Sequence, residues 1–294
     1  MAARSVESGD FGFFDASTAF EAADRRCPRA VGAQRGDGGG SHDRRGAGSG
    51  HSSGRGSEVL GTWFTALRGN NAGCSHVRPN VRVDIWSDVV CPWCYLGKRR
   101  FERALADFEH RDEVEVVYHS FELDPRHPRE EVVPKASMLA AKYQISEAEF
   151  QAMEGRLVGL AAAEGLEYKL DGSVIGNTFD AHRVLHLARE RGLAVEVVER
   201  FFRAYFTEQR SVFDDESLAD LAAEAGLDRD ETVRVLKEGT YADAVRADAE
   251  RGRALGANGV PFFVLADRYG ISGAQPVETF AAALGRAYAA PLPK

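Results

Sequence analysis

Cysteine is scarce in this chain: four are present among 294 residues, at positions 27, 74, 91 and 94. Four thiols without a repeated spacing exclude a disulfide-stapled scaffold. A structural zinc site would need two further Cys or His ligands at matching spacing, and Cys27 and Cys74 form no second CxxC, so no metal is expected. A basic excess is missing too. Lys and Arg total 37 against 45 Asp and Glu, a formal net charge of −8, which argues against nucleic acid as a partner. No run approaches the about 20 apolar residues of a membrane span, so no membrane partner is expected either. The N-terminus lacks a charged-then-apolar leader, because Glu7 and Asp10 lie in the first ten residues and no apolar stretch follows. A cytoplasmic protein is the expectation, and in that compartment a CxxC is more often catalytic than a structural staple.

The first 80 residues also lack a periodic apolar face. Between Val31 and Gly56 the chain is mostly Gly, Ser, Arg, His and Asp, a composition that cannot bury enough apolar surface to offset its ordering entropy. This segment holds 10 basic and 8 acidic residues, against 27 and 37 in 81–294. Residues 1–80 are therefore expected to be a disordered extension, removable up to about residue 78 without loss of fold or activity. Cys27 and Cys74 lie within it.

What the chain does have is Cys91-Pro92-Trp93-Cys94. The alternating run Val81-Arg82-Val83-Asp84-Ile85-Trp86 before it reads as a β-strand. Helix formers from Tyr95 to Phe108 follow, with Leu96, Phe101, Leu105 and Phe108 along one face. Pro92 suits the first helical position, where no backbone N–H is needed. Cys91 then falls in the cap region, where unpaired N–H groups and the helix dipole favour a thiolate. Cys94 comes one turn later, within reach for a disulfide. The thiolate is the species that attacks a disulfide, so this placement suits thiol–disulfide exchange.

After the helix, Glu113 to Phe121 alternates and reads as a second strand, parallel to the first in a βαβ unit. From Lys135 to Asn258 no strand pattern is visible. Ser146 with Glu149 forms a capping box, Asn177 or Thr178 caps a further helix, and Val197, Val198, Phe201, Phe202, Tyr205 and Phe206 make a wide apolar stripe. Strand character returns at Pro261–Ala266 and Tyr269–Ser272, and Pro276–Ala290 closes the chain as a helix. The order β-α-β, helical block, β-β-α with a CxxC at the first strand-to-helix junction predicts an α/β protein. Its fold would be thioredoxin-like, with a large all-helical domain inserted between the βαβ and ββα halves. The expected boundaries are 81–134 for the first half, 135–258 for the helical insert and 259–294 for the second half.

Several blocks resemble the DsbA-like oxidoreductases of the FrnE type. They are Trp86 to Lys98, Phe121-Glu122-Leu123-Asp124-Pro125, Asn177-Thr178-Phe179-Asp180-Ala181-His182, Gly259-Val260-Pro261-Phe262-Phe263-Val264 and Ser272-Gly273-Ala274-Gln275-Pro276. They occur in family order over about 81–290. The resemblance implies dithiol–disulfide exchange and a cis Val260–Pro261 bond beside the CxxC, with the Val260 backbone pairing with substrate. The sister group, the glutathione-dependent 2-hydroxychromene-2-carboxylate isomerases, carries serine in place of Cys91; a glutathione-dependent isomerase or transferase is the alternative reading. A further CxxxxC pair found in some FrnE-type proteins has no counterpart after Cys94.

Cys91 is the expected nucleophile, Cys94 the resolving thiol and Pro261 the loop residue that contacts both. Pro92 and Trp93 tune the pair, and Trp93 offers an apolar platform. Asp88 would oppose the thiolate if close, or else cap backbone N–H groups at the strand end. Val260, Phe121, Asn177, Asp180 and His182 are the candidates for substrate binding, with helix capping by Asn177 and packing by His182 as the structural alternative. His119 and His186 read as structural. The expected partner is a thiol or disulfide, in a protein or a glutathione-like molecule. No cofactor is expected beyond the Cys91–Cys94 disulfide itself, with glutathione a candidate co-substrate. The sequence carries no signal for oligomeric state.

Overall fold

The structure is a computed structural model. It describes residues 80–290 and, upstream of them, the backbone of one short strand, Phe13–Asp15. The central sheet contains β1 (Phe13–Asp15), β2 (Val81–Ser87), β3 (Val114–Ser120), β6 (Phe262–Leu265) and β7 (Tyr269–Ser272) in the order β1-β7-β6-β2-β3. β2 and β3 run parallel, whereas β6 pairs antiparallel with β2 and with β7. Between β2 and β3 runs α1 (Pro92–Ala106), followed by a 3-10 turn at Arg111–Glu113. The ββα half closes with α9 (Val277–Ala289).

The strands alternate as their sequence requires. Val81, Val83 and Ile85 of β2, with Phe263 and Leu265 of β6, share one core with Phe101 of α1 and Phe280 of α9. Trp86, Phe262 and Val264 point to the opposite face and pack with Leu255 and Ala257. The helical block comprises α2 (Lys135–Tyr143), α3 (Glu147–Ala163), α4 (Phe179–Glu190), α5 (Ala194–Phe206), α6 (Asp215–Glu224), α7 (Arg229–Glu238) and α8 (Ala242–Ala254). α3 opens on the Ser146–Glu149 capping box; Asp214 and Asp228 cap α6 and α7. At α4 it is Asn177 Oδ1 that accepts the Phe179 N–H, at 3.0 Å.

Two expectations need correction. Val174–Ile175 (β5) lies inside the segment expected to be wholly helical and pairs antiparallel with Val133–Pro134 (β4). A two-residue bridge is too short to leave a period in the sequence. The other correction concerns the extension. Phe13–Asp15 falls in the segment expected to lack structure, yet it pairs antiparallel with β7 in the register Phe13 to Ile271 and Asp15 to Tyr269. Backbone pairing to an edge strand needs no apolar period of its own. Cys27 and Cys74 lie outside the described residues.

A buried polar chain ties the sheet to the helices. His119 Nε2 lies 2.5 Å from Asp84 Oδ1 and its Nδ1 lies 2.9 Å from Asp248 Oδ1 on α8; His186 Nε2 of α4 sits 3.1 Å from the other Asp248 oxygen. Carboxylates only accept, so two of them on one ring are satisfied when both ring nitrogens carry a proton. Burial alone would lower the His119 pKa, but the hydrogen bonds and charges of Asp248 and Asp84 raise it above its ordinary value. Burial alone would likewise raise Asp84 and Asp248. Hydrogen bonds and charge from His119, together with those of Arg82 at Asp84 and of His186 at Asp248, outweigh it and hold both below the usual carboxylate range.

Candidate functional site

β2 ends at Ser87 and α1 begins at Pro92, so the two thiols fall at the strand-to-helix junction as expected. Cys91 is the N-cap residue of α1, with extended backbone (φ −86°, ψ 111°), and Pro92 occupies the first helical position. The Cys91 N–H donates to Asp88 O at 3.0 Å, closing a turn, and the Cys94 N–H donates to Cys91 O at 3.0 Å. Both thiols are free.

The Val260–Pro261 bond is cis. It brings the Val260 carbonyl to 3.5 Å from Cys91 Sγ, which donates to it. One contact ties the loop to the residues after β7, and two hold them against α1. The Gly273 N–H donates to Pro261 O at 2.8 Å. Arg100 Nη1 donates to Ala274 O at 2.7 Å. Gly97 faces Pro261 so closely that a Cβ built there would stand 2.9 Å from Pro261 Cγ and 3.4 Å from Ala274 Cβ. Only glycine permits this approach of helix to loop.

Cys91 is as buried as Cys94. Its residue is 3% exposed, against 2% for Cys94, so the nucleophile candidate is no more open to water than its partner. Burial, and then the neighbouring Cys91 thiol, raise the Cys94 pKa well above its ordinary value; Ser87 and the Asp88 main chain oppose this through hydrogen bonds. Trp93, between the two thiols in sequence, is 37% exposed.

The remaining candidates separate. Asp88 Oδ2 accepts the Leu123 N–H at 2.7 Å, the backbone-capping role. Asn177 is spent on structure: besides the Phe179 N–H it holds His127 O through Nδ2 at 2.8 Å. Asp180 pairs with Arg183 at 2.5 Å and with Arg129 at 3.3 Å. Phe121 is 7% exposed and packs with Trp86 and Phe262 in the core, under the Arg253 guanidinium; it offers no surface to a substrate. His182 is buried and approaches Asp88, with Nε2 3.6 Å from Oδ1.

Sequence reasoning missed three supports of the site. The Tyr168 hydroxyl donates to Pro92 O at 2.7 Å, pinning the first turn of α1 from the helical block. Tyr95 stacks on Phe202 at 4.9 Å, and its hydroxyl donates to Glu199 of α5 at 2.8 Å. Lys98, one turn beyond Cys94, is buried between Glu102 and Glu199. Burial alone would raise Glu199, but Lys98 and Arg99 bring it down to about 2. The signal for this cluster was present as charged residues on the inner face of α1, where a solvated helix would have apolar ones.

Comparison with known proteins identifies the lineage. Residues 82–285 match the model of the DSBA-like thioredoxin domain. The chain belongs to that family. In Bacillus subtilis, the protein YwbO, which is uncharacterized, is 30% identical over 206 residues, 69% of this chain and 96% of that protein. The crystal structure of a probable DsbA oxidoreductase from Streptomyces coelicolor is 53% identical. It superposes with a TM-score of 0.70 and covers 73% of this chain and 92% of that one. The cytosolic disulfide reductase DsbM from Pseudomonas aeruginosa, solved with GSH, shares the fold at 18% identity and a TM-score of 0.50, over 70% of this chain and 98% of its own. The thioredoxin-like DsbA fold expected from the sequence is the fold observed, with the many helices consistent with a helical insertion.

Proposed function

We propose that this DsbA-family protein is a dithiol–disulfide oxidoreductase whose redox centre is Cys91–Cys94. The observation that carries the reading is the N-cap thiol of Cys91 set against the carbonyl of the cis Val260–Pro261 loop, with the second thiol one turn into the same helix. Helix N–H groups and the dipole favour negative charge at that position. The thiolate of Cys91 attacks a disulfide R–S–S–R′, forming Cys91–S–S–R and releasing R′–S⁻. Cys94, having lost its proton, then attacks Cys91 Sγ and releases R–S⁻. Two electrons pass from the dithiol to the substrate, and the two protons end on the released thiolates. The exposed Trp93 and the backbone of Val260 are the surfaces on which the substrate chain lies. Glutathione is the co-substrate class that restores the dithiol, and DsbM, described as cytosolic and solved with GSH, supports that choice. No described helix is long and apolar enough to cross a membrane.

Equilibration in mixtures of reduced and oxidised glutathione, followed by maleimide mass-tagging, tests the reading. One reversible Cys91–Cys94 disulfide is expected. Cys91→Ser should abolish turnover of a protein disulfide, and Cys94→Ser should accumulate a mixed disulfide at Cys91. Retention of activity by Cys91→Ser would favour an isomerase or transferase acting with glutathione and overturn the assignment.

A further inference from the structure

The chemistry assigned to the two thiols leaves a buried polar pair without a task. His182, in the first turn of α4, is 0% exposed, and neither ring nitrogen has a hydrogen-bond partner among the described residues. Asp88 Oδ1, 3.6 Å from its Nε2, is equally sealed and equally without a hydrogen bond. A buried carboxyl with one oxygen unbonded is unfavourable unless an opposite charge faces it. Glu122, buried at the end of β3, faces both groups, and Arg129 and Arg253 act on it in turn; Tyr205 faces Asp88 from α5. On its own helix His182 is flanked by Asp180 and Arg183, which pair with each other.

Asp88 is close to the redox centre. Its carbonyl accepts the Cys91 N–H at 3.0 Å, and its Oδ2 holds the loop at Leu123. We propose that His182 is a positioning residue for the Cys91–Cys94 couple and acts through Asp88: its imidazolium offsets the carboxylate at the base of the nucleophile's turn and keeps that carboxyl where it braces the turn. The proposal rests on the dithiol reading above. With glutathione disulfide as oxidant, one S–S bond breaks and one forms. Two electrons leave the dithiol and its two protons end on two glutathione thiols, so Asp88 and His182 neither gain nor lose a proton. The pair changes the equilibrium because a thiolate in the reduced form is opposed by a bare carboxylate and tolerated beside a neutralised one.

The test is the equilibrium constant with the glutathione couple, measured by thiol trapping on the full chain for wild type, His182→Gln, Asp88→Asn and the double variant. His182→Gln should shift the equilibrium about tenfold toward the disulfide, about 30 mV more negative. Asp88→Asn should shift it the opposite way, and the double variant should lie near wild type. A purely structural role for His182 would lower stability without opposite signs in the two single variants. Single variants within twofold of wild type, or shifts of the same sign that add in the double, would overturn the proposal. Should His182→Gln fail to give a native near-UV circular dichroism spectrum, Asp88→Asn decides alone: no shift, or a shift toward the disulfide, overturns it. A wild-type chain that forms no Cys91–Cys94 disulfide would sink the dithiol reading itself, whereas a working couple unmoved by the variants would sink only the role of His182.

Discussion

Gly97→Ala is the most direct probe of how α1 meets the cis-proline loop. The added Cβ would stand 2.9 Å from Pro261 Cγ and 3.4 Å from Ala274 Cα and Cβ. Carbon atoms rest at about 3.5–4.0 Å, so helix and loop must part by roughly 0.6–1 Å. Overpacking of this kind costs about 1–3 kcal/mol. The helix gains about 1 kcal/mol from replacing glycine by alanine, which leaves a net loss of up to about 2 kcal/mol. For a domain of this size 1 kcal/mol corresponds to roughly 2–4 °C in Tm. Turnover should suffer more than stability, because the same displacement moves Val260 O from Cys91 Sγ, and a misplacement of about 1 Å can lower a rate about 100-fold. Gly285→Ala on α9 is the control. Its Cβ would meet nothing within 4 Å, so only the propensity gain remains. Differential scanning fluorimetry and a glutathione-coupled disulfide reduction assay read both variants. If Gly97→Ala were as stabilising as Gly285→Ala, with turnover intact, the close packing of α1 on the loop would not govern the site.

Four further outcomes are expected. Stability should fall on both sides of a plateau: Asp84 and Asp248, held below 3.8, lose their contribution as pH drops through their folded values, and His119, raised above 6.5, loses its own as pH climbs through its folded value. Urea midpoints from pH 3 to 9 would show this, and His119→Gln should remove the alkaline limb; an unchanged limb would mean another group sets it. Tyr168→Phe deletes the hydrogen bond to Pro92 O and should lower stability by about 1 kcal/mol by urea titration, with little change in fold by circular dichroism. Pro261→Ala should slow turnover and accumulate mixed disulfides on non-reducing gels, and unaltered kinetics without trapped species would remove Pro261 from the site. Deletion of residues 1–79 strips β1 from β7 and should lower Tm by a few degrees while turnover is retained; an unchanged Tm would mean that β1 adds nothing to the sheet.

The legible parts of the fold were those with a local period or a local cap. Val81 to Trp86 alternates, Phe262 to Leu265 is an unbroken apolar run, and Ser146 with Glu149 announces α3, so strands and helices stood where the sequence put them. The site was legible at Cys91, Pro92, Cys94 and Pro261 for the same reason: a strand, a proline and a helix fix one another within a few residues. The roles of Tyr168 and Gly97, and the partners of a His119 already read as structural, were hidden because each is defined far along the chain, at Pro92, Pro261 and Asp248. Asn177 takes the capping role that was its structural alternative, and Phe121 turns into the core, because proximity in a motif does not say which face a side chain takes. β1 and β5 escaped because pairing by main chain alone writes no side-chain pattern.

The position of β6 in the sheet has a consequence for how the protein is made. β6 lies between β2 and β7, with Trp86 opposite Phe262, so the strand at the middle of the sheet is made only after β2, α1, β3 and the whole helical block. Until it arrives, β2, α1 and β3 carry both thiols on a half-built sheet whose inner edge is open and whose core lacks Phe263 and Phe280. Pairings between such distant segments slow folding. Throughout synthesis of the helical block, the two thiols therefore precede the cis-proline loop that packs against them, and the half-built sheet carries the open edge and bare apolar face that make incomplete chains prone to aggregate.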